Sequence, residues 1–101
     1  MSKIIKLGDE VRKIMEILKM THGEMADVLG ISTIRLEKII KENTMNTCEL
    51  CSLEVFCEKS ILFGKEFGLK KREKEILFEI FFMVSTLIDS REKNEAWKDV
   101  S

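Results

Sequence analysis

Residues 21–43, THGEMADVLGISTIRLEKIIKEN, place apolar side chains at helical spacing on both sides of one glycine. Thr21 followed by Glu24 has the pattern of a capping box, which predicts that a helix begins there. Gly30 accepts the left-handed backbone conformation that ends a helix and turns the chain sharply. Ser32 can cap the helix that follows. The segment therefore predicts two short helices that meet at a tight turn.

Helical spacing continues along the rest of the chain, and no proline interrupts it. The predicted helices cover residues 9–20, 21–29, 33–42, 47–58 and 60–67, and one long helix follows the charged run KKREKE at 70–75. A chain of 101 residues can build one small domain with one appended element. An all-α fold is the expectation, because glycine is rare and proline is absent.

The chain carries 17 basic and 18 acidic side chains, so its formal net charge is −1. No global positive field draws such a molecule to a polyanion, and any affinity for nucleic acid must come from a local patch. The longest apolar stretch, residues 76–88, is too short to span a bilayer and contains Glu79. No signal peptide is recognisable at the amino terminus. We therefore expect a cytoplasmic protein with no membrane partner, whose three cysteines stay reduced.

The interior of this helix pair carries a specific set of small and branched residues. Ala26 is small enough for two helices to cross closely, and Leu36 with Ile39 fills the space between them. The full set is Met25, Ala26, Leu29, Gly30, Ile31, Leu36 and Ile39. This pattern resembles the helix-turn-helix of the phage Cro/repressor-like (XRE) transcriptional regulators. The resemblance covers residues 7–69 and is most specific in its first half.

The resemblance implies a five-helix helix-turn-helix domain over residues 1–68, whose third helix enters the major groove of DNA. Carried over position by position, it implies that the residues facing double-stranded DNA are His22, Ser32, Thr33, Ile34, Glu37, Lys38 and Lys41. Hydroxyl groups can donate to phosphates or base edges, lysines supply positive charge, and Ile34 can pack on a thymine methyl. His22 would approach a phosphate. The implied function is that of a sequence-specific transcriptional regulator, in particular a repressor, which binds an operator as a homodimer.

Two features depart from the family pattern. The family often carries an arginine in its first helix and a glutamate late in its third, and Met15 and Ile40 stand at these positions. Because both charges are replaced, no orphan charge is left in the interior. Glu37 would repel phosphate, and residues 1–68 hold ten basic against eleven acidic residues, which predicts weak DNA binding by one copy. The alternative is a protein-binding module on the same scaffold, such as an antitoxin, an anti-repressor or a phage-type inhibitor.

The last helix, within residues 69–101, carries two adjoining apolar rows and is apolar over more than half of its circumference. A small globule cannot cover so wide a face on one side only, which implies a partner helix. We therefore expect a dimerisation element here, with a homodimer interface made by Ile76, Leu77, Ile80, Phe81, Met83, Val84, Leu87 and Ile88. The predicted architecture is an all-α, five-helix Cro/repressor-like helix-turn-helix domain followed by a long C-terminal dimerisation helix.

The three cysteines have the spacing C-x2-C-x5-C, which invites a metal or redox interpretation. On a continuous helix, however, Cys57 lies nearly opposite Cys48, so these thiols and that of Cys51 cannot converge on one ion. We expect Cys57 in the core and no metal or other cofactor, with a thiol or metal sensor as the alternative. No nucleophile–base pair, catalytic carboxylate pair or phosphate-binding glycine loop is recognisable, so an enzyme is not expected.

Overall fold

The computed structural model describes the backbone of residues 6–66 and 68–100, and the side chains of 6–66 and 68–93. Within that part of the chain there are five helices and no strand: α1 Leu7–Leu18, α2 His22–Leu29, α3 Thr33–Glu42, α4 Thr47–Leu62 and α5 Lys71–Val100. The all-α prediction is confirmed. The helices belong to two compact units, unit 1 (Met1–Asn46) and unit 2 (Thr47–Ser101). The units divide before α4 and not after residue 68, because α4 packs against α5.

Unit 1 is built from three helices, and its third helix, α3, packs against both α1 and α2. Its interior is apolar, and the fully buried side chains are Val11, Ile14, Met25, Leu36 and Ile39. Burying a side chain of this size contributes about 1.5–3 kcal/mol relative to leaving it exposed. Leu36 and Ile39 therefore hold α3 in place, as their spacing predicted.

The starts of α2 and α3 are fixed by the side chains of the residues that precede them. Thr21 Oγ1 accepts a hydrogen bond from the Glu24 N–H at 3.2 Å, and the Glu24 carboxylate accepts one from the Thr21 N–H at 3.0 Å. The Ser32 hydroxyl oxygen accepts a hydrogen bond from the Arg35 N–H at 3.1 Å. Each bond satisfies a backbone donor that has no partner inside its own helix. Both predicted caps are confirmed.

All three helices of unit 1 end at a residue in the left-handed backbone conformation. Gly30, predicted for this role, has a φ of 68°, and Lys19 and Asn43 take the same conformation at 53° and 60°. After α2, the Ile31 N–H donates to the Ala26 carbonyl at 3.0 Å, which is the closing bond of a Schellman end. The Lys19 backbone is strained relative to a glycine there, because its Cβ crowds the neighbouring carbonyl.

Unit 2 is a helical hairpin in which α4 and α5 pack against each other. Helix α4 continues to Leu62, so the predicted end near Glu58 and the separate helix over residues 60–67 are wrong. Ser60 is buried within the longer helix. No glycine or proline stands between Thr47 and Gly64, so nothing in the local sequence ends the helix earlier.

Helix α5 is 30 residues long and begins inside the charged run, not after it. The Glu73 carboxylate accepts a hydrogen bond from the Lys70 N–H at 2.8 Å, which fixes this start. Further along, Ser85 Oγ donates to Glu54 Oε2 at 2.6 Å and ties α5 to α4. Although α5 is long, none of the described helices combines that length with enough apolar residues to cross a membrane.

Candidate nucleic-acid interface

One side of α3 is buried and the opposite side is exposed along the whole helix. Leu36 and Ile39 are fully buried, whereas Ile34 is 77% exposed. The residues predicted to face DNA are all exposed to solvent: His22, Ser32, Thr33, Ile34, Glu37, Lys38 and Lys41. His22 begins α2, and the other six belong to α3 or to its cap. A partner can therefore reach a continuous surface of hydroxyl, apolar and charged groups.

The amino-terminal end of α3 offers two hydroxyl groups to a partner. Ser32 Oγ accepts a hydrogen bond from the Arg35 N–H, which leaves the hydroxyl hydrogen able to donate outward. Thr33, the first residue of α3, is exposed beside it. The first turn of α3 contains no acidic residue, so its partial positive charge is not cancelled locally. This end of the helix suits an oxygen acceptor.

Three helices contribute basic side chains to one shallow concavity of about 280 Å³. Arg12 comes from α1, His22 from α2 and Lys41 from α3, and Glu37 and Ile40 complete the lining. These residues converge because α3 packs against the other two helices. From the sequence we predicted His22 and Lys41, but not Arg12, to face DNA, because an arginine of α1 becomes a neighbour of α3 only through the tertiary fold.

A second concavity, of about 470 Å³, shares Arg12 and His22 with the first and follows α1. It adds Lys19 and Glu16 to the charged groups of this surface. Arg12 lies within α1, and Lys19 directly follows its last residue, Leu18.

The basic residues that line the two concavities form one surface, which we call the basic patch: Arg12, Lys19, His22 and Lys41. Two carboxylates, those of Glu16 and Glu37, lie within it. The patch keeps an excess of positive charge, although unit 1 as a whole has eight lysines and arginines against seven acidic residues. A near-neutral chain needs a local excess of this kind to attract a polyanion.

No family model, curated protein or solved structure matches the chain. What the surface can bind must therefore follow from the groups it presents. Positive charges and hydroxyl donors suit phosphate oxygens, whereas Ile34 suits an apolar group and Glu37 an amino group. These groups together can contact both the backbone and the base edges of a DNA duplex.

Met15 and Ile40 stand where the resemblance implies an arginine and a glutamate, and both contribute to these concavities. Met15 is buried and Ile40 is half-buried, and each lines one of them. The exchange leaves no unpaired charge behind. Within residues 6–66 and 68–93, no buried side-chain nitrogen or oxygen lacks a hydrogen-bond partner. These two apolar side chains can accommodate the aliphatic stems of the neighbouring lysines while the charged ends remain in solvent.

The predicted dimer interface on α5 requires correction. Four of its eight residues are buried within the single chain: Leu77, Ile80, Val84 and Ile88. These four are not accessible to a second copy, because α5 already has a partner helix in α4. The other four are half-buried: Ile76, Phe81, Met83 and Leu87. Among residues 71–93 of α5, the large apolar residues that are exposed are Phe78 and Phe82.

The three thiols of α4 do not form one site. Cys48 and Cys51 are exposed, whereas Cys57 is buried, as predicted. Burial, and secondarily the Glu54 carboxylate, raises the pKa of the Cys57 thiol to about 12. Such a thiol stays protonated at neutral pH and is a poor nucleophile and metal ligand. Among the residues whose side chains are described, no three Cys, His, Asp or Glu groups are placed to hold a metal ion.

Proposed function

We propose that the chain is a sequence-specific DNA-binding transcriptional regulator. In this proposal α2 and α3 act as a helix-turn-helix of the Cro/repressor-like type, and α3 enters the major groove. The observation that carries the proposal is the outward side of α3, which is exposed over its whole length and flanked by the basic patch. The major groove is about 12 Å wide, which admits one α-helix with its side chains.

The groups of this surface divide naturally between the DNA backbone and the bases. Arg12, His22 and Lys41 surround a concavity and would contact phosphates on one side of the groove. Thr33 and Ile34, at the start of α3, would meet base edges, where a methyl group of thymine suits Ile34. Glu37 can accept a hydrogen bond only from a donor such as the cytosine amino group, so it restricts the sequences that fit.

The excess of positive charge in the basic patch is small, and this would limit how tightly one copy binds DNA. Phosphate contacts supply most of the affinity for DNA, so one copy should bind weakly. Two copies on a two-fold symmetric operator would double the contacts, and the second copy binds at a high effective concentration. Such a homodimer, acting in the cytoplasm, would occupy an operator and block polymerase, or recruit it where the contacts allow.

The decisive experiment selects fragments from genomic DNA on the full chain at about 50 mM salt, where screening is weak. We expect retention of a small set of fragments, lost as salt rises. The variant carrying Lys38→Glu and Lys41→Glu should retain none while keeping its helical circular dichroism spectrum. Lys59→Glu with Lys65→Glu makes the same change in net charge in unit 2 and should retain the same fragments. Absence of any retained DNA for the wild type would remove the proposal.

A specific observation also favours the protein-binding alternative. Ile34, in the first turn of α3, is 77% exposed, and Glu37 follows it on the same side of the helix. An apolar anchor beside a carboxylate suits a protein partner as well as it suits DNA. Affinity purification from nuclease-treated lysate distinguishes the two functions. A single stoichiometric partner, lost in the Ile34→Asp variant and retained by Lys38→Glu with Lys41→Glu, would favour the protein-binding module.

A further inference from the structure

Four exposed residues form a stripe along α5: Lys71, Phe78, Phe82 and Asp89. With 3.6 residues per turn, all four lie within a sector of about 40° around the helix. Phe78 and Phe82 are 47% and 58% exposed, and their ring centroids are 5.1 Å apart. We call this row the α5 stripe. It combines an aromatic pair at its centre with opposite charges at its two ends.

The α5 stripe is symmetrical about position 80. The two phenylalanines stand two residues to either side of that position, and Lys71 and Asp89 stand nine residues to either side. If two α5 helices lie antiparallel with their positions 80 facing each other, Phe78 of each copy meets Phe82 of the other. Lys71 of each copy then meets Asp89 of the other. We propose that two copies of this chain associate through the α5 stripe as an antiparallel helix pair.

The charges favour a second copy in this orientation over a parallel pair. In a parallel pair Lys71 would face its own counterpart and Asp89 would do the same, and like charges repel. Glu75, beside the stripe, would also meet itself. In the antiparallel pair Glu75 faces position 85, where Ser85 stands. A surface that complements itself under a two-fold rotation is what an isologous interface requires.

The size of the aromatic centre sets the strength of the association. Two half-exposed phenylalanines offer roughly 200 Å² of apolar surface per copy, against about 800 Å² per partner in a standard stable interface. The dimer should therefore be reversible and depend on concentration. Exposed ion pairs are individually weak, so Lys71 and Asp89 determine the relative orientation of the two helices more than they add to the affinity. The inference rests on the proposed function for its homodimer, but its test contains no DNA, so the two can fail separately.

Sedimentation equilibrium of the full chain at about 50 mM salt, where charge effects are least screened, tests the proposal. We expect a monomer–dimer equilibrium. Phe78→Asp with Phe82→Asp should weaken dimerisation by at least about tenfold. Lys71→Asp alone and Asp89→Lys alone should each weaken it about fivefold, because each puts like charges face to face. The double variant Lys71→Asp with Asp89→Lys should return to within about twofold of the wild type.

The matched control is Leu62→Asp, which places a carboxylate at an apolar residue of α4 that is 71% exposed and outside the α5 stripe. It should dimerise like the wild type, and circular dichroism should show all variants to be helical. A wild type that stays monomeric up to millimolar concentration overturns the proposal. So does a charge-exchanged double variant weaker than either single variant, which would mean that Lys71 and Asp89 do not meet. A dimer insensitive to the phenylalanine changes would place the interface elsewhere.

Discussion

The side-chain oxygen of Asn43, at the end of α3, accepts a hydrogen bond from the backbone N–H of Gly8, in the first turn of α1, at 3.0 Å. The residue before α1, Lys6, makes no side-chain cap of its own. Asn43 therefore caps α1 through Gly8, a residue 35 positions earlier in the chain. A Cβ at position 8 would lie 2.8 Å from that oxygen and would clash with the Ile40 carbonyl, so only glycine fits between α1 and α3. Asn43 thus ends α3 and also caps the start of α1.

Replacing Asn43 should separate its two roles. Asn43→Ala removes the α1 cap. It also puts at a φ of 60° an alanine, which takes the left-handed conformation less readily than asparagine does. We therefore expect a loss of about 2 kcal/mol in unfolding free energy. Asn43→Gly removes the cap but accepts the left-handed conformation, and should lose about 1 kcal/mol. Urea denaturation followed by far-ultraviolet circular dichroism measures both. Equal losses for the two variants would show that the backbone conformation at this position costs little.

Lys19 offers a stabilising substitution. It holds the left-handed conformation at the end of α1, with a φ of 53°. Lys19→Gly should raise the unfolding free energy by about 1 kcal/mol, because the strain of a Cβ in this conformation disappears. Lys19→Ala is the control, since it removes the charge and keeps the Cβ, and it should give no such gain. If alanine stabilises as much as glycine, the gain comes from the charge and not from the backbone.

The features that the sequence predicted correctly are local ones. Thr21, Gly30 and Ser32 act within three or four positions of themselves, so their residue types alone specify the caps and the turn. The cap from Asn43 to Gly8 could not be predicted in this way, because it depends on how α3 packs on α1. The same holds for the basic patch, where an arginine of α1 meets residues of two other helices.

Hydrophobic periodicity identified the apolar faces but not what covers them. The spacing of Leu77, Ile80 and Val84 correctly marks the inner face of α5. From the sequence we expected a second copy of the chain to pack on this face, but in the structure α4 of the same chain packs against α5. Periodicity carries no information about which partner is used, because an apolar row is equally well buried by either helix.

The cysteines should differ in reactivity in a way that follows from burial. At pH 8 a thiol reagent should modify Cys48 and Cys51 quickly in the folded protein, because both are exposed. Cys57 should react only as fast as unit 2 opens, since it is buried and its pKa is raised to about 12. Mass spectrometry of the modified peptides over time measures the three rates. Rapid modification of Cys57 would mean that the α4–α5 hairpin opens readily.

The raised pKa of Cys57 also predicts how stability changes with pH. The folded protein keeps this proton up to about pH 12, whereas the unfolded chain loses it near the ordinary value of 9.0. Below pH 9 both states hold the proton, so this group leaves the unfolding free energy unchanged. As pH rises from 9 towards 12 the unfolded state is favoured and stability falls. The Cys57→Ala variant should show a shallower fall over this window, and identical slopes would contradict the assignment.

Arg12 should contribute to DNA binding without reading sequence. It lines both concavities of the basic patch, beside His22 and Lys41, where a phosphate contact is expected. Measured on a fragment recovered by selection and on sequence variants of it, Arg12→Gln should weaken binding to all of them equally. It should also lower the slope of log K against log salt concentration by about 1. Lys13→Gln is the matched control, because it makes the same change of charge on α1. Lys13 pairs with Glu10 at 3.3 Å and lines neither concavity. Equal slopes for the two variants would place Arg12 outside the interface, and a changed sequence preference in Arg12→Gln would mean that it contacts bases.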